Sequence, residues 1–350
     1  PDKYSYISIK KNLTLMGADD STVTLNGNRL NIVTIDAKDI NVVIKNLIFT
    51  NGYARNGAAL VVNAYENTYV TVINCNFTGN EAKNTGGAIC NRGNLVVINS
   101  TFTNNYAGNT IGNGGAIASE TNNMVVTNCT FVNNQASKNG GAIYTNYSLA
   151  QNSGNIFDSN YAINGGAIYT NGNANIDSAT FIDDNHASNA GGAIYTKGDL
   201  TLTGANSFDK CYANSNGGAI YTEGNANIDS ATFTNNGANS NGGAIYTVGD
   251  LTLTGVNTFN TNKANGGNGG SIYTKRNANI ESATFSKDYA SKNGGSIYTY
   301  GDLTITGTDT FDNFQANGNG GAIYTQGSAN IISSTFKDAK YVNGAGGAIY

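Results

Sequence analysis

Charge is scarce in this sequence. Asp, Glu, Lys and Arg together make up 12% of its 350 residues, about half the usual share. The four arginines, Arg29, Arg55, Arg92 and Arg276, are scattered along it, so no basic stripe for nucleic acid is visible. Long apolar runs are missing as well: nowhere do eighteen apolar residues follow one another, and Pro1 opens no charged-then-apolar leader. Neither a membrane-spanning helix nor a signal peptide is therefore read from the sequence as it stands. With one proline and regularly spaced Ile and Phe, the low charge reads as a folded array rather than a disordered polar chain. Cysteines are few and out of register. Cys75 and Cys129 are two periods apart, about 9.6 Å if each period adds one inter-strand spacing, beyond the roughly 7 Å Cα limit of a disulfide. Cys90 and Cys211 occupy other slots, so four isolated thiols are expected, most of them packed as small apolar residues.

Repetition is what the sequence has in abundance. Gly (45) and Asn (59) are both far above average. Gly-Gly-Ala-Ile-Tyr-Thr at 140–145 returns in near-copies that begin at Gly86, Gly114, Gly140, Gly165, Gly191, Gly217, Gly242, Gly269, Gly294, Gly320 and Gly346, with a degenerate first copy at Gly57. The steps between copies are 25 to 29 residues. A second marker keeps the same time: Phe49, Phe77, Phe102, Phe131, Phe157, Phe181, Phe208, Phe233, Phe259, Phe285, Phe311 and Phe336. A fixed period of this length implies a solenoid whose unit cannot bury its apolar face alone.

The unit is made of strands and turns. Leu200-Thr201-Leu202-Thr203 and Leu251-Thr252-Leu253-Thr254 alternate strictly, and clusters such as Asn214-Ser215-Asn216-Gly217-Gly218 punctuate them, whereas helices need apolar residues at i, i+3 and i+4 with few glycines inside. Each repeat reads as three short strands and three turns. The expected fold is all-β, a right-handed single-stranded parallel β-helix (β-solenoid) of about 12 to 14 coils of ~26 residues. Residues 1–49 read as N-terminal coils without the Gly-Gly marker. Residues 50–350 carry the marked repeats, continuous with the first segment as one elongated domain. The chain stops inside a motif at Ala348-Ile349-Tyr350, as a fragment of something larger would.

Side-chain slots can be assigned from the period. One slot reads Ala174, Leu200, Ala226, Leu251, Ala278, Leu303, Ala329, so each large side chain is sandwiched between two small ones, as close packing favours. Asp177, Asp229 and Glu281 recur in every second coil, which keeps like charges off adjacent strands. Asn80, Asn105, Asn134, Asn160, Asn236 and Asn262, three residues after Phe, are expected to turn a corner and bond to the coil above. The glycine pair marks a place that needs positive φ or close backbone approach.

The column after Ile is the candidate binding surface: Tyr144, Tyr169, Tyr195, Tyr221, Tyr246, Tyr273, Tyr298 and Tyr324, ending in Tyr350. With Ile inward, strand alternation turns these rings outward as an aromatic stripe. Val61, Cys90 and Ala118 hold the same slot in earlier copies and are apolar, as an inward position would be. Two roles are open for the rings, shielding the sheet or binding a sugar or protein partner.

Other chemistry is weakly represented. Asp183-Asp184 with His186, the sole histidine, is the one clustering of carboxylates and imidazole of the kind that glycoside hydrolases use as general acid and base. It also reads as a Phe-x-x-Asn corner with one inserted residue. Gly172-Asn173-Ala174-Asn175-Ile176-Asp177 is a poor match to a nonapeptide calcium roll, and the acids are spread singly by coil. No catalytic residue, metal site or cofactor is expected. Thr201 and Thr203 are too local for an ice-binding array, and Asn12, Asn76, Asn99, Asn128 and Asn146 stand in glycosylation acceptor triplets.

Gly86-Gly87-Ala88-Ile89 paired with Phe102-Thr103-Asn104-Asn105 resembles the repeats of chlamydial polymorphic outer membrane proteins. The low-charge, Asn- and Thr-rich setting is also similar to adhesin-like surface proteins of methanogenic archaea. The pattern is departed from after Phe181, Phe208, Phe285, Phe311 and Phe336, so the Asn ladder is not expected to be continuous. The resemblance implies an extracellular, cell-surface β-helical rod, adhesin-like or structural, that attaches to a cell, glycan or protein partner. It also implies a membrane link only through an anchor outside this sequence. No nucleic-acid partner is expected, and end-to-end or lateral self-association follows from open strand edges. A carbohydrate-active β-helix enzyme and a passive stalk are the alternatives.

Overall fold

The structure, a computed structural model, describes residues 6–18, 23–63, 67–109, 111–121 and 124–350, with the backbone alone at 150–152. All regular elements among the described residues are strands. The chain divides into two compact units, Pro1–Gly172 and Asn173–Tyr350, and each is a parallel β-solenoid of coils of about 26 residues.

One coil of the second unit shows the plan. The chain runs through Ile220–Thr222, Ala226–Asp229, Thr232–Thr234 and Gly237–Ala238, then turns at the next glycine pair. Each strand pairs in parallel with its counterpart one coil on, Ile220 with Ile245, Ala226 with Leu251, Phe233 with Phe259 and Ala238 with Ala264. Four sheets therefore line each unit, where the sequence suggested three strands per repeat. The fourth strand escaped notice because it is often two residues long, too short for alternation to register. Its signature is a fully buried alanine five residues after most ladder phenylalanines, as in Ala82, Ala107 and Ala136 of the first unit and Ala213, Ala238 and Ala264 of the second.

The core is a set of ladders. In the first unit Phe49, Phe77, Phe102, Phe131 and Phe157 stack with centroids 4.7 to 5.0 Å apart. In the second, Phe181 through Phe336 stack at 4.7 to 4.9 Å. Burial of each ring contributes at most about 1.5–3 kcal/mol before entropy is subtracted. The alternating slot is realised in register, Ala174 against Leu200, Leu200 against Ala226 and Ala226 against Leu251. The segment without the Gly-Gly marker joins the same ladders: Leu13 pairs with Val42, Leu25 takes the phenylalanine slot against Phe49, and Val33 pairs with Leu60.

Corners are held by polar ladders. Asn105 shows the device: its Nδ2 donates to the carbonyl of Phe77 in the coil behind at 2.9 Å and to Asn134 Oδ1 in the coil ahead at 3.0 Å. Its own Oδ1 accepts from Asn80 N and Nδ2, so one buried amide ties three coils together with its bonds satisfied. The residue that bends the chain is the one before it, Asn104 at φ 55° and Asn133 at φ 52°, in the left-handed region that asparagine tolerates. The two glycines of the marker do separate jobs. Gly140 has φ 64°, while a Cβ on Gly141 would lie 2.0 Å from the carbonyl oxygen of Gly166, a position open only to glycine.

Candidate interaction surface

The tyrosine column is a stacked array, and its openness has to be corrected in part: Tyr144, Tyr169, Tyr246, Tyr273 and Tyr298 are buried, Tyr195, Tyr221 and Tyr324 half-buried, and Tyr350 exposed. In the first unit Tyr144 and Tyr169 stack at 5.6 Å. In the second, Tyr195, Tyr221, Tyr246, Tyr273, Tyr298, Tyr324 and Tyr350 follow one another at 4.6 to 5.1 Å, within 16° of parallel. Tyr246, Tyr273 and Tyr298 form an apolar cluster with Tyr221, Val248 and Tyr324. Yet their exposure is only 5, 5 and 4%, because each ring covers both faces of its neighbours and leaves only edges free. Burial pushes the Tyr246 phenol up to about 12, and Tyr298 likewise to about 12 with help from Tyr300.

What covers the edges is a second column that sequence reasoning did not single out. Two residues after each tyrosine stand Asn146, Asn171, Lys197, Glu223, Val248, Lys275, Tyr300 and Gln326. Tyr195 donates its hydroxyl to Glu223 Oε1 at 2.7 Å, and Gln326 Nε2 donates to the Tyr298 hydroxyl at 2.8 Å. The Lys275 ammonium lies 5.9 Å above the Tyr246 ring centroid. Tyr300, 44% exposed, packs edge-on against Tyr273 and Tyr298 at 5.9 and 5.3 Å, and their hydroxyls hold its phenol below the usual range. An invariant aromatic floor thus carries a fringe whose chemistry changes coil by coil. The signal was in the sequence: a tyrosine column constant for nine copies beside one that changes at every step after Asn171.

The acidic trio lies on one corner and the start of the strand after it. Asp183 and Asp184 form the inserted corner, at φ 47° and 63°, and Asp183 pairs with Lys210 Nζ at 3.1 Å. His186 sits on a strand beside Tyr212, ring edge to ring face at 5.4 Å. Asn185, one position late, still fills the buried corner site. All four cysteines are unbridged and buried, and burial pushes the Cys75, Cys90 and Cys129 thiols up to about 11 and Cys211 well above its ordinary value. These values place the thiols outside nucleophilic range. Among the described residues no group of three His, Cys, Asp or Glu is placed to hold a metal ion, and no helix is long and apolar enough to cross a membrane.

Comparison with known proteins identifies the repeat. The model of the Chlamydia polymorphic membrane protein repeat matches residues 74–92, 128–146, 179–197 and 230–248. Each match begins ahead of a ladder phenylalanine and ends just past the following glycine pair, so it spans the Phe ladder, the Asn corner and, in the last three, the tyrosine. No curated protein and no solved structure matches the chain significantly.

Proposed function

We propose that this chain, built of chlamydial polymorphic membrane protein-type repeats on a β-solenoid, is a cell-surface attachment scaffold displayed outside the cell. The partner, a glycan or protein on another surface, is met by the fringe over the tyrosine stack of the second unit. The observation that carries this reading is the division of labour between the two columns. A stack of rigid rings fixes backbone spacing at about one inter-strand step, and the fringe then presents Lys197, Glu223, Val248, Lys275, Tyr300 and Gln326 in register. Binding surfaces draw on aromatic and polar side chains held by a rigid base. The matched repeat comes from a family of surface proteins rather than enzymes.

The test is adhesion of the full chain to cells and to a glycan array, repeated with the Lys275→Ala, Tyr300→Ala double variant. Loss of tenfold or more in binding by a variant whose thermal unfolding is unchanged is the expected result. Unchanged adhesion would transfer the role to a passive stalk. Reducing-sugar release from a bound polysaccharide would overturn the non-enzymatic reading.

A further inference from the structure

The first unit gathers cations that the sequence scatters. Arg29 and Arg55, far apart along the chain, meet Lys83 around a cavity of about 940 Å³. All three side chains reach it from exposed positions. The guanidinium of Arg29 lies 4.4 Å over the Tyr53 ring and the Lys83 ammonium 5.4 Å from the same centroid. Arg55 and Lys83 each follow the paired alanines Ala54 and Ala82 on neighbouring strands, where the register between the strands shifts, so two like charges leave adjacent coils close together, an arrangement that costs free energy when nothing lies between them. Among the described residues one carboxylate pairs with this cluster: Glu81, 3.9 Å from Arg29. No ion pair holds Arg55 or Lys83 among the described residues. Arg92, by contrast, is committed to Glu120 at 2.8 Å. Arg29 is brought over the ring by a turn in which it and Asn28 have φ of 66° and 46°, the left-handed conformation that the corners of this fold use.

We propose that Arg29, Arg55 and Lys83 form a binding site for an acidic oligosaccharide, whose carboxylate or sulfate groups sit among the three cations. The cavity is a broad, open surface groove, wide enough for a multi-ring ligand rather than a lone ion. Leu30 and Ile111, both 48% exposed, offer apolar edges to sugar rings, and the amides of Asn84 and Asn109 on the same wall suit hydroxyls. A chain with net charge −4 repels an extended polyanion, so a short acidic segment fits better than nucleic acid. This site does not rest on the tyrosine column.

Calorimetric titration of the full chain with a heparin hexasaccharide, a hexagalacturonate and neutral maltohexaose tests it. Expected is binding of an acidic probe that weakens with added salt, falls at least tenfold in Arg55→Gln, Lys83→Gln, and is unchanged in Arg276→Gln. Because the like charges repel, Arg55→Gln alone should also raise the melting temperature without ligand and abolish the rise that the acidic probe produces. The proposal is overturned if neither acidic probe binds, if maltohexaose binds as well as they do, if the double variant binds unchanged, if single-stranded DNA competes equally, or if Arg55→Gln lowers the unliganded melting temperature.

Discussion

Asp288 stands where the corner ladder elsewhere has asparagine. It is fully buried, accepts from Asn262 N at 3.0 Å through Oδ1, and has no hydrogen-bonding partner at Oδ2, although the Ser271 and Ser296 hydroxyls lie near enough to temper its pKa. These serines replace the marker's alanine in the two adjacent coils, a local polar adjustment to one substitution. Burial pushes the carboxyl up to about 7, above the ~3.9 of a free aspartate. Between those values the folded state holds a proton that the unfolded chain has lost, so stability falls as pH rises from about 4 to 7. Asp309, pushed to about 6 by burial, adds to the same slope. Asp288→Asn should raise stability at neutral pH by about 1–3 kcal/mol, the cost of an unsatisfied buried acceptor, and flatten the slope in part. Urea denaturation of both proteins at about pH 4.5 and pH 7.5 measures this; a wild-type chain more stable at the higher pH by the same margin as the variant would refute it. Phe233, stacked between Phe208 and Phe259 at 4.8 and 4.9 Å, should cost about 3–5 kcal/mol on replacement by alanine; a loss below about 1 would remove the ladder from the core.

At the scale of the strand and turn, steric limits decide. Gly141→Ala drives a methyl into the carbonyl of the coil ahead, and also to within 2.6 Å of Tyr161 N, where neither neighbour is a flexible tip. A loss of about 3 kcal/mol or more is expected, at or above the usual range for overpacking. Ala226→Leu meets Leu200 and Leu251 on either side and should cost about 1–3 kcal/mol. Its partner test is compensation: adding Leu251→Ala should recover part of the loss, because neighbours in contact do not add. Differential scanning calorimetry of the single and double variants decides it, and strict additivity would mean that the slot does not pack across coils.

For the molecule as a whole, a solenoid joins each coil only to its neighbours, so damage should spread locally. Hydrogen exchange of Phe233→Ala should quicken most in residues 207–260 and least around 49–131, and uniform quickening across the chain would contradict the nearest-neighbour account. Much of this organisation was legible in the sequence, because in a parallel coil the period is the register: Phe, Ile, Ala and Leu slots recur at the spacing that stacks them, and strand periodicity excluded helices without any tertiary information. The two-residue fourth strand was not, since two residues carry no period. Nor was the covering of the tyrosines, because alternation tells which face a ring leaves by, while its exposure depends on neighbours in other coils. Arg29, Arg55 and Lys83 make the same point. Composition determined that cations are few, and only the coiling, which sets distant residues one inter-strand step apart, decided that three of them would share one cavity.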